Sequence, residues 1–149
     1  MLGPANPFPL PDSLTDGLAR VHATWQGMRR AGNSIPFADD LNLPALSGEG
    51  GRILLLDVFA NPERFRFSFA DPNLVPTQEA GMSGKFIDDL DLGESFAFLR
   101  AQASATVEAR APTYYRIGSR GLSPGFARLL LPLWGDGRIG MLLGALDRY

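Results

Sequence analysis

The chain contains no cysteine. That excludes a disulfide framework, thiolate catalysis, and zinc or iron–sulfur sites held by cysteine. Histidine is nearly absent as well, with His22 alone in 149 residues. No multi-histidine metal site can be assembled, although one histidine suffices as an axial haem ligand. Neither sign of charge is in excess, with 14 Lys plus Arg against 16 Asp plus Glu, which removes bulk charge as a way of holding nucleic acid. No apolar run approaches the roughly 20 residues of a membrane helix, so no membrane association is expected. The first basic residue is Arg20, and residues 1–11 lack an apolar core of signal-peptide length. A cytoplasmic protein without a secretory leader is the expectation.

What is present suits one domain. At 45% apolar and 20% charged residues, a chain of this length buries roughly 70% of its unfolded surface without help from a metal or disulfide. Pro4, Pro7, Pro9 and Pro11 forbid a helix over residues 1–11, which read as an extended arm, either unstructured or laid against a neighbour. Residues 12–149 read as a single domain.

From Asp12 or Ser13 as N-cap, Leu14, Leu18, Val21, Trp25 and Met28 recur at three- and four-residue spacing, predicting an amphipathic helix that runs to Arg30 and ends at Gly32-Asn33. A short helical turn fits Asp40 to Leu46. Arg52 to Phe59 is a continuous apolar run, as in a strand covered on both faces. After the Asn61-Pro62 turn, Phe65, Phe67 and Phe69 alternate with Arg66 and Ser68, predicting a paired strand with one wet face. Asp71 to Asp91 reads as loop with short helical turns. Phe96, Leu99, Ala103 and Val107 then mark a second helix that stops before Pro112. Thr113 to Ile117 is a third strand. Phe126 to Trp134 and Arg138 to Leu146, joined through Gly135-Asp136-Gly137, form a long closing hairpin, with a bulge expected near Pro132. Strands that arrive as hairpins around one helical insertion make an α+β fold with a five-stranded antiparallel sheet. The unalternating strands need cover on a second face. The first helix supplies it, within the chain or from a second copy, which makes Leu14, Leu18, Val21 and Trp25 candidates for a homodimer interface.

One resemblance rests on particular stretches. The first helix, Ile35-Pro36, the Gly51-to-Val58 strand, the aromatic Arg64-Phe65-Arg66-Phe67 strand and the Arg128-to-Arg138 hairpin together resemble a proteobacterial family of small, stand-alone PAS-like proteins. The likeness spans about residues 14–147. It implies a five-stranded antiparallel sheet with helices on one face and a sensory or regulatory role. The chain departs from the family at Ala70-Asp71-Pro72, where relatives usually carry Gly-Thr, which weakens any ligand role carried over to the segment that follows.

Other motifs point elsewhere or nowhere. Gly121-Leu122-Ser123-Pro124-Gly125 spells a hydrolase elbow, but Pro124-Gly125 leads into a strand rather than a helix, and no histidine follows the serine. A turn is the better reading. His22, on the edge of the first helix's stripe, reads as a polar tip at an interface. Asp88, Asp89, Asp91 and Glu94 lack the spacing of a calcium loop, and helix capping explains them better. Gly48-Glu49-Gly50-Gly51 is a flexible turn without the spacing of a phosphate loop. Arg64, Arg66, Arg116, Arg120 and Arg128 could converge on an anion. Arg128 stands out because it interrupts an apolar run. It either reaches solvent from the strand start or lies buried against a carboxylate or ligand.

The reading that follows from the resemblance is a dimeric sensory domain that holds a small apolar ligand between sheet and helices and signals to a regulatory partner protein. Phe65, Phe67, Phe69 and Tyr115, with Arg128, are the pocket candidates. Each also fits plain core packing. No motif specifies a cofactor. Two alternatives remain, a ligand-free dimerisation module and an isomerase or dehydratase with Asp57 as base beside Tyr114 or Tyr115.

Overall fold

The computed structural model describes residues 8–46, 52–71, 74, 82–91, 93, 96–118, 121 and 125–148. Five strands form one antiparallel sheet: β1 (Ile53–Phe59), β2 (Arg64–Ala70), β3 (Thr113–Ile117), β4 (Phe126–Gly135) and β5 (Arg138–Arg148), in the order β2-β1-β5-β4-β3. The helices are α1 (Asp16–Gly27), the single turn α2 (Leu43–Leu46) and α3 (Leu99–Ala109), with 3-10 turns at Ala38–Asp40 and Ile87–Asp89.

The closing hairpin forms because Asp136 and Gly137 both adopt positive φ, 55° and 76°, the backbone that a two-residue turn between twisted strands requires. Its ladder slips once, between Leu133 and Trp134, where Gly140 is the extra residue opposite. Pro132 lies in β4 two residues past the last β3 pair, Thr113 with Leu130. Its missing N–H therefore breaks no bond to β3. The Trp134 N–H, two residues on and pointing to the same side, donates to Pro36 O at 2.8 Å.

Alternation along the strands builds two cores. The front face carries Leu54, Leu56, Val58, Phe65, Phe67, Leu130 and Leu142, packed under Leu99 and Ala103 of α3 and under Ile87 and Phe96. The back face carries Ile53, Leu55, Leu129, Leu131, Leu133 and Leu143, packed under Leu18, Val21 and Trp25 of α1 and under Leu46. The sheet is thus covered on both sides.

Phe69 is on the back, not beside Phe65 and Phe67. Leu55 pairs with Phe69 but Leu56 with Phe67, so Ser68 is an extra residue that reverses the alternation. The outer edge of β2 is also occupied. Phe67 receives a bond from Gly84 N at 2.7 Å and donates to Lys85 O at 2.9 Å.

The first helix is shorter than its apolar stripe predicts. Thr15, not Asp12 or Ser13, is the N-cap, and its side chain makes no cap bond. The Thr15 hydroxyl instead donates to Asp147 on β5, whose carboxylate is shared with Arg52. A tertiary carboxylate at the positive end of the helix has displaced local capping. At the other end the helix stops at Gly27, ahead of Arg29 and Arg30, and Arg30 makes a two-pronged ion pair with Asp40 at 2.8 and 2.9 Å.

Leu18, Val21 and Trp25 are buried against this chain's own sheet, at 1%, 1% and 4% exposure, with Leu14 half-buried beside them. A second copy would meet this stripe only if α1 left the sheet. The Trp25 indole N–H donates to Pro132 O at 2.8 Å. Trp25→Phe keeps an aromatic ring, though a smaller one, and strands that buried carbonyl, and the expected loss is at least about 1–3 kcal/mol. A lower urea midpoint at unchanged slope is the measurement that checks it.

Candidate functional site

Four polar side chains are fully buried beneath α3: Gln102, Thr106, Thr113 and Arg128, each at 0% exposure. Arg128 occupies a front-facing position of β4, directly across from Tyr115 of β3. Gln102 and Thr106 are four residues apart on α3 and share the stripe that faces the sheet. Two elements thus bring a guanidinium under a helix.

The chemistry of the donors orients the cluster. Arginine can only donate, and Arg128 Nε lies 2.7 Å from Gln102 Oε1. The amide nitrogen of Gln102 therefore turns the other way, donating to Thr113 Oγ1 at 3.1 Å and to Arg128 O at 3.3 Å. The Thr106 hydroxyl donates to Gln102 O at 2.8 Å. Thr113 then supplies the proton in the 2.6 Å contact between the two threonine hydroxyls. Arg128 Nη2 reaches Ala97 O at 2.8 Å. Among the described residues no buried side-chain nitrogen or oxygen lacks a partner. Burial pushes the Arg128 guanidinium down to about 10, against a smaller opposing effect of the Tyr115 phenol. It remains a cation at neutral pH.

Tyr115 gathers an aromatic cluster around this charge. Its ring lies 5.4 Å from Arg128 Cζ and meets Phe126 at 6.1 Å, Phe98 edge-on at 5.6 Å and Phe8 edge-on at 5.8 Å. Phe98 is the N-cap of α3, held left-handed at φ 60°, ψ 17° and 63% exposed. A bulky residue at positive φ is strained. Beside it a cleft of about 570 Å³ is lined by Ile87, Leu90, Phe96, Phe98 and Leu99, with Asp88, Asp91 and Arg100 among its walls. Two smaller clefts, about 370 and 280 Å³, lie by the β1–β2 turn and by Trp134.

Of the pocket candidates, the fold brings Tyr115 and Arg128 together. Phe65 and Phe67 are closed into the front core at 1% and 0% exposure, and Phe69 is on the other face. None of the five lines any of these three clefts. Among the described residues the candidate arginines do not all converge: Arg64 and Arg66 lie at the β2 edge and Arg128 beneath α3. Arg64 and Arg66 stack there at 3.7 Å over Phe86 and 4.8 Å over Phe59. Arg116 is on β3, and Arg120 lies outside the described residues. Asp57 pairs with Arg66 at 3.0 Å. It is three strands from Tyr114, about 14 Å across the sheet, so the two cannot share a substrate atom.

The N-cap of α3 is Phe98, not an acidic residue, and it makes no side-chain cap bond. Asp88 lies 3.7 Å from Arg100 and Asp89 3.7 Å from Arg64, while Leu92 and Glu94 are outside the described residues. Leu122, Ser123 and Pro124 of the elbow-like turn and residues 48–51 also lie outside them. Among the described residues no group of three His, Cys, Asp or Glu is placed to hold a metal, and no helix is long and apolar enough to cross a membrane.

No protein family, curated protein or solved structure matches the chain.

His22 stacks on Trp25 with ring centroids 6.0 Å apart. Burial lowers its pKa below the ordinary 6.5, and Arg29 lowers it further. The folded state then binds fewer protons than the unfolded one. The contribution is complete above pH 6.5 and declines as pH falls through the lowered value. A melting temperature that drops between pH 7.5 and 5, with the drop reduced in His22→Gln, is the expected result.

Proposed function

We propose that this chain is a PAS-like sensory or regulatory domain in which the position of α3 on the sheet carries the signal. The observation that supports this most directly is the Arg128–Gln102 contact of 2.7 Å, the charged bond in the buried polar cluster that joins the helix to the sheet. Apolar packing tolerates small displacements, whereas a buried hydrogen bond is either made or costly to lose. Such a contact suits a two-state helix. A small molecule entering beside Phe96 and Phe98 would compete with the Ala97 carbonyl for Arg128 and bias α3 toward the second state. The five-stranded antiparallel sheet with its helical insertion between β2 and β3 agrees with the resemblance.

Output in this reading passes by contact to a regulatory partner or a second copy. Since α1 packs its stripe inside the chain, a homodimer would use other surfaces or exchange of the helix. Native mass spectrometry and an absorbance spectrum of protein purified from its host background test the sensor reading. A co-purifying small molecule, whose removal speeds amide exchange in α3, is the expected result. Protein that emerges empty and gains no melting temperature from any member of a metabolite panel would overturn it. The closed packing of Phe65 and Phe67 favours a second reading, a ligand-free interaction module, for which that empty outcome is the expected one.

A further inference from the structure

Several arginines carry their own carboxylate: Arg30 pairs with Asp40, Arg52 with Asp147, Arg64 with Asp89, Arg66 with Asp57 and Arg100 with Asp88. Arg110 and Arg138 have no carboxylate partner among the described residues, and both line the cleft of about 370 Å³ beside the β1–β2 turn. Neutral groups hold them there. Arg138 Nη2 donates to Val58 O at 2.9 Å and Nη1 to Ile139 O at 3.3 Å, and Val58 and Ile139 are walls of the same cleft. Those bonds occupy part of its fork of donors and neutralise none of its charge. Arg110 is the C-cap of α3 at φ 52°, ψ 42°, a backbone that ordinarily goes to glycine, so this side chain is kept at a cost. Its Cζ lies 5.7 Å from the centre of the Trp134 ring, which orients the cation without cancelling it. Glu63 lines the cleft as well and pairs with neither arginine, and the half-buried Phe59 and Val107 supply an apolar wall.

We propose that this cleft binds a small monocarboxylate with an apolar body, the carboxylate held by Arg138 and Arg110 and the body laid against Phe59 and Val107. A carboxylate matches the planar fork of a guanidinium. One negative charge is the limit, because Glu63 and the last carbonyls of α3 both oppose a second. The volume is near the lower end of the range for small-molecule sites, which suits a compact acid. This inference stands apart from the sensory reading, since the cleft is at the C-terminal end of α3 and the opening beside Phe96 and Phe98 is at its N-terminal end.

Benzoate is the probe, titrated into the full chain at constant ionic strength and followed by backbone amide shifts, with benzamide as its neutral counterpart. The expected result is saturable binding with shifts centred on Glu63, Arg110, Arg138 and Ile139. Arg110→Gln and Arg138→Gln should each weaken it at least about fivefold, as should benzamide in place of benzoate, through loss of a charge-assisted hydrogen bond. Glu63→Gln should tighten it, because a repelling charge is gone. Arg29→Gln, an exposed arginine that does not line the cleft, should change nothing. Equal affinity for benzoate and benzamide, shifts centred elsewhere, no saturation at millimolar benzoate, or an equal loss in Arg29→Gln would each overturn the proposal. Acetate bound as tightly as benzoate would overturn the apolar wall. If Arg138→Gln fails to fold for want of its bonds to Val58 and Ile139, Arg110→Gln decides, since that side chain is exposed, and unchanged benzoate affinity there sinks the idea.

Discussion

Gly144→Ala should destabilise the protein, against the general trend for glycine in a strand. Replacing such a glycine by alanine ordinarily adds about 0.5–1 kcal/mol, because the unfolded chain loses freedom. Gly144 sits at the centre of β5, across from Leu54 on one side and Leu130 on the other. A Cβ there would lie 2.6 Å from Leu54 Cδ1, 2.8 Å from Leu54 Cγ and 3.0 Å from Leu130 Cδ2. Both leucines are at 0% exposure, enclosed in the front core. Overpacking of this kind costs about 1–3 kcal/mol, which outweighs the entropic gain, and Gly144→Val should cost more. Urea denaturation checks it. Gly27→Ala is the control, because nothing lies within 4 Å of a Cβ at the end of α1, and it should raise stability slightly. A Gly144→Ala protein as stable as the parent would mean that Leu54 and Leu130 rotate freely in the core, contrary to their burial.

The same two leucines explain why the sheet was legible before its faces were. Runs such as Ile53 to Phe59 and Phe126 to Leu133 announce strands covered on both sides, and Asp136-Gly137 announces their turn, because all of that information is local. β3 falls at Thr113–Ile117 as the run of Tyr114 and Tyr115 predicts. What failed was non-local. Nothing near Thr15 indicates that its hydroxyl serves Asp147, 132 residues away, so the N-cap of α1 falls two or three residues later than the local signals at Asp12 and Ser13 predict. Nothing near Ser68 marks a bulge, and the period-2 pattern of Phe65, Phe67 and Phe69 is persuasive and wrong at its last member. The seat of Phe8 beside Tyr114 and Tyr115 has no signal in the sequence beyond the prolines on either side of it.

Arg128 was the harder case. Its neighbours in sequence suit either an exposed strand end or a buried charge, and the residues that decide between them lie on α3 and β3. A signal was available on α3. Gln102 and Thr106 fall at three and seven residues from Leu99, on the same stripe as Ala103 and Val107, where an ordinary amphipathic helix carries apolar residues. Two polar side chains on a buried stripe require polar company beneath them. Combined with an arginine interrupting an apolar strand, they would have pointed to one cluster.

That cluster yields the second large effect. Gln102→Leu should destabilise the protein by about 2–3 kcal/mol, because Arg128 Nε loses its acceptor and hydrogen bonds to charged groups are worth about 1.5–3 kcal/mol. Thr113 Oγ1 loses its donor in the same step. Gln102→Glu separates charge from geometry. The carboxylate satisfies Arg128 but cannot donate to Thr113 Oγ1 or to the Arg128 carbonyl, so this variant should fall between the parent and Gln102→Leu. Arg128→Met together with Gln102→Leu should recover most of the loss, since matched apolar groups leave fewer buried polar atoms unsatisfied than either single change. The expected signature is a coupling of at least about 1 kcal/mol in a double-mutant cycle followed by urea denaturation. Strict additivity would mean that the guanidinium finds water when Gln102 is gone, and α3 would then be held by the Thr106–Thr113 contact and apolar packing, with no charged latch for a ligand to act upon.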